Sequence, residues 1–402
     1  MPDKKKGPFM LIQEKVKQAK ELLKEFKVDC WITFVRESQI NGDPSLAFLV
    51  TADVTWHSAF IVTSSGKTCA IVGRYDQKTV EDTKAYDQVI SYVEGVKKPL
   101  LEYLQQINPA TIAVNYSEDS EICDGITHGM YLTLYRFLSE IGYEKRLLPA
   151  EKIVSALRER KSQTELQYMK EAIRITLEIF DEVRNIIKPG ISEKEIAAFM
   201  KVRVKEKGVG FGWEESVCPA VFTGPETAAA HYAPTDRKVE EGQVLNMDFG
   251  VKYNHYVSDL QRTFYIRHRA EKSIPAEVKK GFEVIVQAIE KARLGMKPGV
   301  QGLEIDKIAR DTIVKNGYEE FPHALGHQVG RYSHDGTALL GPAWEKYARK
   351  PYQKLEEGMV FTLEPRLTVP DRGVVTIEEM VVVTKKGAEF LSKPQTELLI
   401  IG

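Results

Sequence analysis

Two hydrophobic rhythms alternate along the first third of the chain. CWITFV (Cys30 to Val35), HSAFIVTSSGKTCAIVG (His57 to Gly73) and TIAVNY (Thr111 to Tyr116) are rich in β-branched and aromatic residues. That composition predicts strands, and the Ser-Ser-Gly inside the second predicts a hairpin. Interspersed with them, VKKPLLEYLQQI and GMYLTLYRFLSEI repeat apolar residues at helical spacing. Strands interleaved with helices over about 150 residues predict an α/β domain of ordinary size. A charged stretch, RERKSQTE (Arg158 to Glu165), ends it. There Ser162, with Glu165 three residues on, forms a capping-box pattern, and Leu166, Met169, Ile173, Leu177 and Phe180 follow at helical spacing. The expected domains are therefore 1–157 and 158–402.

The second part repeats itself. KPGISEKEI (Lys188 to Ile196) returns as KPGVQGLEI (Lys297 to Ile305), and VEEGQVLNMDFG (Val239 to Gly250) returns as LEEGMVFTLEP (Leu355 to Pro365). Two helical units, each followed by a Glu-Glu-Gly turn and a strand, predict an internal duplication of an α+β half. Asp248 and Glu364 hold the same place in the two copies, so paired halves should bring them together. The KPG segments read as helix-terminating turns, since no phosphate-binding glycine pattern surrounds them.

Composition narrows the function. A chain of 402 residues, 43% hydrophobic, is long enough for two globular cores. With 56 Lys and Arg against 57 Asp and Glu, it lacks the one-signed field that nucleic-acid binding needs. Cys30, Cys69, Cys123 and Cys218 are scattered and form no CxxC pair, which fits a reducing compartment better than a disulfide or thiolate-metal framework. No long uncharged apolar run follows the basic start. The expectation is a cytoplasmic protein, bound to neither nucleic acid nor membrane.

The repeated strands carry the candidate chemistry. Asp248 after VLNM and Glu364 after VFTL sit in half-buried strand sequences, where a lone carboxylate would be strongly penalised. Asp259 in YVSDLQRTF lies across an expected hairpin from Asp248, and Glu378 in VVTIEEMVVV follows Glu364. Four converging carboxylates would repel one another unless a divalent metal neutralised them. Two such ions could activate a shared water for hydrolysis. Of eight histidines, His323, His327 and His334 fall in PHALGHQVGRYSHD and His231 in AAAHYAP. One of them should complete the metal shell, and His327, flanked by Gly326 and Gly330, sits centrally.

In order, MDFG, SDLQRT, HALGHQVG, TLEP and TIEE resemble the five metal-ligand motifs of the pita-bread metallopeptidases, the group of methionine aminopeptidase, aminopeptidase P, prolidase and creatinase. The resemblance implies an α+β protein: an N-terminal creatinase-like α/β domain followed by a duplicated pita-bread catalytic domain. It also implies the residue roles. Asp248 and Asp259 would hold one metal, His327 and Glu364 the other, with Asp259 and Glu378 bridging both. Glu364 would shuttle a proton, His231 would contact the substrate, His334 would stabilise the tetrahedral intermediate, and His323 would stand at the edge of the site. The implied reaction is hydrolysis of an Xaa-Pro peptide by a hydroxide shared between two divalent ions, by a dipeptidase or an aminopeptidase. Manganese is the first expectation, with cobalt, zinc or iron allowed, and the branch implies a homodimer. A creatinase-like C–N hydrolase and a non-catalytic binding protein are the alternatives.

The last motif departs from the family pattern, with Thr376 where an arginine is usual. Arg331, between the histidines, and Arg366, after Pro365, are candidates to bind a substrate carboxylate. The long segment from Thr337 to Lys354 is expected to wall the cleft.

Overall fold

The computed structural model describes residues 7–225 and 233–402. The chain divides into two compact units, Met1–Arg158 and Glu159–Gly402. Among the described residues no helix is long and apolar enough to cross a membrane.

The first unit is built on a six-stranded mixed sheet. Its strands are β1 (Cys30–Val35), β2 (Ser58–Thr63), β3 (Thr68–Gly73), β4 (Gln88–Tyr92), β5 (Ile112–Val114) and β6 (Leu147–Pro149), in the order β4-β3-β2-β1-β5-β6. The expected β2–β3 hairpin closes through Gly66, whose φ of 92° suits a residue without a Cβ. The central strands read as continuous apolar runs because both faces are covered. Trp31, Phe60 and Val62 enter one core with helices Gly7–Glu25 and Glu151–Glu159, while Ile32, Phe34 and Ile61 enter another with Lys97–Ile107 and His128–Ser139. The edge strand β4 is half-exposed and has no such apolar run.

The duplication in the second unit is visible atom by atom. Helices Glu193–Glu206 and Gly302–Lys315 each begin with a capping box, from Ser192 and Glu195 in one copy and Gln301 and Glu304 in the other. The two KPG glycines share a φ of 90°, and their amides donate over 2.8 Å to Val239 and Leu355, the first residues of the two Glu-Glu-Gly turns. Isolated bridges join Ser192 to Lys238 and Gln301 to Lys354.

The strands of this unit are β7 (Gly210–Phe211), β8 (Ala220–Thr223), β9 (Val244–Phe249), β10 (Val251–Tyr253), β11 (Tyr256–Val257), β12 (Leu260–Ile266), β13 (Gly326–His327) and β14 (Leu339–Leu340). They continue as β15 (Val360–Leu363), β16 (Arg366–Val369), β17 (Gly373–Thr376), β18 (Glu379–Thr384), β19 (Gly387–Phe390) and β20 (Leu399–Ile401). The first copy contributes β12, β9 and β8 to the sheet β20-β12-β9-β8, whose edge β20 comes from the C-terminal end of the chain, and the second copy contributes β15-β18-β19. A bridge between Gln261 and Glu378 ties the two together, each amide donating to the other residue's carbonyl over 3.3 Å. Behind them, Ile285, Ile289, Ile305, Ile313, Phe361 and Val381 form one core between sheet and helices. Asp248 thus stands on, and Asp259, Glu364 and Glu378 stand at the ends of, strands packed against this core.

Candidate metal centre

Strand pairing places the acids. β9 and β12 run antiparallel with Asp248 opposite Gln261, and the small β10–β11 hairpin between them returns the chain so that Asp259 enters β12. β15 pairs with β18, so Glu364 and Glu378 leave adjacent strand ends. β13 pairs with β14, which lies in the Thr337–Lys354 segment, and His327 stands opposite Leu339. Ligand atoms of Asp259, His327 and Glu378 all lie within 4.8 Å of one another. His327 Nε2 is 3.2 Å from Glu364 Oε1 and 3.9 Å from Asp259 Oδ2. Asp248 is electrostatically linked to the group, since Asp259 and Glu364 both raise its proton affinity.

The centre is short of positive charge in a specific way. Asp248 Oδ1 and Glu378 Oε2 are buried with no hydrogen-bond partner among the described residues. Glu379, the next residue, faces the other way and is fully served. It pairs with Arg262 at 2.9 Å and accepts from Ser392 Oγ at 2.6 Å and from the Gln395 amide at 2.8 Å. One of two adjacent buried acids has its own guanidinium, and the other has carboxylate neighbours. Buried carboxylates are normally paired or metal-bound, so this donor set fits a divalent cation.

Proton affinities follow. Burial, then the negative charges of its neighbours, pushes Asp248 well above the usual carboxylate range. The same causes raise Glu378, slightly offset by Gln261. Burial lifts Asp259 to about 7, with His327 opposing and Glu364 reinforcing. Burial would also lift Glu364, but the His327 hydrogen bond and charge outweigh it and leave its carboxyl below the usual value. Burial alone would depress His327, but contact with Glu364 and Asp259 raises it to about 9.

Several supports were not foreseen from the sequence. The Thr362 hydroxyl accepts from the His327 amide at 3.1 Å and donates to Glu364 Oε1 at 3.2 Å. Gln261 faces Glu378, and the Asp259 amide donates to Met380 Sδ at 3.3 Å. Strand alternation was the available signal, since Thr362 lies two before Glu364 and Gln261 two after Asp259. Gly326 lets β13 approach β15, and a Cβ there would lie 1.9 Å from the Thr362 carbonyl oxygen. Gly326→Ala is therefore expected to destabilise the protein by about 2–3 kcal/mol, as overpacking against fixed backbone does. It should also weaken metal binding by displacing His327. Denaturant unfolding and a metal titration would check this, and unchanged values in both would refute it.

The remaining candidates are placed as follows. The His334 ring meets His327 edge-on at 4.2 Å and lines an open cleft of about 730 Å³ with Trp213, Lys252, Tyr332 and Ser333. His323 is half-buried, its Nδ1 lies 2.8 Å from the Ala324 carbonyl oxygen, and its charge is felt at Glu364. Arg331 sets its guanidinium 5.6 Å from the centre of the Tyr256 ring. Arg366 opens β16 and is half-buried. His231 lies outside the described residues.

Comparison with known proteins matches residues 167–385, more than half the chain, to the model of Metallopeptidase family M24. An Xaa-Pro dipeptidase of Pyrococcus horikoshii is 30% identical over 269 residues, covering 66% of this chain and 72% of that protein. An uncharacterized peptidase of Bacillus subtilis, YqhT, is 29% identical over 279 residues, 69% and 73% of the two chains. Among solved structures, an Xaa-Pro dipeptidase from Bacillus anthracis superposes with a TM-score of 0.71 at 21% identity, over 97% of this chain and all of that one. An X-Pro aminopeptidase from Thermotoga maritima gives 0.68 at 25% identity, over 96% and 99%.

Proposed function

This chain belongs to metallopeptidase family M24, and from that premise we propose that it hydrolyses Xaa-Pro peptide bonds, as a dipeptidase or an aminopeptidase. The relatives named as Xaa-Pro dipeptidases support the substrate. The tertiary amide of proline differs chemically from other peptide bonds, and a dedicated site answers that difference. The observation that carries the metal chemistry is the pair of orphaned buried oxygens on Asp248 and Glu378, beside a neighbouring acid that has its own arginine.

In this reading Asp248 and Asp259 would hold one divalent ion and His327 and Glu364 a second, with Asp259 and Glu378 shared. Four carboxylates and one imidazole suit a hard or intermediate ion, manganese first, with cobalt, zinc or iron also fitting. When bound, such ions polarise the scissile carbonyl and lower the pKa of water. The protein's own residues move the proton and hold the substrate. Glu364 accepts the proton of the attacking water and delivers it to the departing proline nitrogen, the task of a positioned carboxylate. His334, on the cleft side of His327, donates to the oxyanion that forms. His323 stands at the edge of the site, and His231 is assigned to substrate contact. The four cysteines are buried and unbridged, which supports a reducing, cytoplasmic setting.

The direct test is the metal-stripped protein reloaded with manganese, cobalt or zinc and offered Gly-Pro, Ala-Pro and Ala-Ala. Release of proline that depends on the ion, with Ala-Ala spared, is the expected result. Protein that takes up metal yet leaves both prolyl peptides intact would overturn the substrate assignment.

A further inference from the structure

A pair of neutral side chains stands behind the metal centre where a cation is usual. We propose that Gln261, anchored by Thr376, is the positioning residue for Glu378, holding one carboxylate oxygen and leaving the other bare for the ion. The inference rests on the metal-centre reading above and is independent of the substrate.

Gln261 is 7% exposed and Thr376 3%, so their polar atoms depend on protein partners rather than on solvent. They find each other. The Thr376 hydroxyl donates to Gln261 Oε1 at 3.0 Å, which occupies the acceptor end of the amide and leaves its NH2 end to donate. The Gln261 side chain is hydrogen-bonded to Glu378. Because Glu378 Oε2 has no partner among the described residues, the amide serves Oε1. One oxygen is steered and the other stays open.

The backbone fixes this arrangement. Gln261 and Glu378 exchange amide-to-carbonyl hydrogen bonds over 3.3 Å, and Gln261 stands opposite Asp248 in the β9–β12 ladder. Thr376 is held in its turn, with its amide donating to Thr263 Oγ1 at 3.3 Å and its hydroxyl also 3.2 Å from the carbonyl oxygen of Pro365, the residue after Glu364.

A guanidinium at position 376 would bring positive charge towards carboxylates that the ion has to satisfy. A neutral amide orients Glu378 without competing for its charge. Each carboxylate oxygen carries two lone pairs, so Oε1 can accept from Gln261 and still face a metal.

Manganese titration calorimetry of the chelator-treated protein tests the assignment without turnover. Gln261→Met keeps the length but loses the donor, and should bind manganese about 10- to 100-fold more weakly, the usual cost of losing a partner that orients a ligand. Thr376→Val, which keeps the shape but loses the hydroxyl, should lose about tenfold. Thr376→Ser should recover most of that loss. Since Thr376 acts through Gln261, the double variant Gln261→Met, Thr376→Val should bind as Gln261→Met alone does, to within about twofold. Wild-type affinity in Gln261→Met would overturn the proposal, as would losses that multiply in the double variant. If Gln261→Met does not fold, the two Thr376 variants decide: equal affinities in Thr376→Val and Thr376→Ser would overturn it, by assigning position 376 a packing role. A wild type that takes up no divalent ion would sink the metal-centre reading, and this one with it.

Discussion

Glu364→Gln is expected to lower kcat for Ala-Pro by about 10³-fold or more while the protein stays folded. Glutamine keeps the volume and one carbonyl-type oxygen but removes both the charge and the proton-accepting ability. General acid–base catalysis by one positioned group contributes about 10² to 10⁴-fold, and Glu364 has a ligand role to lose as well. The structure adds a readout that does not depend on turnover. His327 owes its raised proton affinity chiefly to the hydrogen bond and charge of Glu364, 3.2 Å away. In the chelator-treated variant, the His327 titration followed by NMR should therefore move down from about 9, because burial is then opposed mainly by Asp259. An unchanged titration would mean that the contact is not electrostatically dominant. An unchanged kcat would remove Glu364 from the proton path.

The second large effect is on stability. Chelator-treated protein should become less stable between pH 5.5 and 8.5, and saturating divalent metal should abolish that decline. Asp248, Asp259 and Glu378 hold protons more tightly folded than unfolded. The native state then binds more protons than the unfolded chain, and stability falls as pH rises. For Asp259, raised from 3.8 to about 7, the linked term is on the order of 4 kcal/mol. The acids titrate together, so the separate terms do not add. His327 acts in the same sense: its stabilising contribution is complete below its ordinary value and disappears as pH rises through about 9. Glu364 acts oppositely, but only below the usual carboxylate range, outside this window.

Metal replaces the missing positive charge and releases the protons, so the gain in thermal midpoint should grow with pH. Glu378→Gln should show the converse, with a higher midpoint than wild type in chelator at pH 8 and little further gain from metal. Parallel pH slopes with and without metal would refute the electrostatic account. So would a Glu378→Gln variant less stable than wild type in chelator.

Much of this was legible in the residues because the information is local. The strands β1, β2, β3 and β5 announce themselves by apolar β-branched runs, and the helix starting at Ser162 by its capping box, which forms as expected. The paired KPG and Glu-Glu-Gly segments disclosed the duplication, since a repeated turn needs the same chemistry in both copies. β4, half-exposed at a sheet edge, lacked the apolar run that marks its neighbours. The Thr337–Lys354 segment read as loop, yet it contributes β14 to the His327 strand, a two-residue pairing too short to leave a period.

By itself, then, the chain determined an α/β part followed by a duplicated α+β part, and the residue types gathered for metal chemistry. Those properties depend on neighbours a few positions apart. Only the tertiary structure decided which acid is left without a cation. Glu378 and Glu379 are adjacent and chemically alike, but pleating sends one toward Arg262 and the other toward Asp259 and His327. A carboxylate's state is set by the charges that folding brings within a few ångströms, and here they come from strands more than a hundred residues apart in the chain.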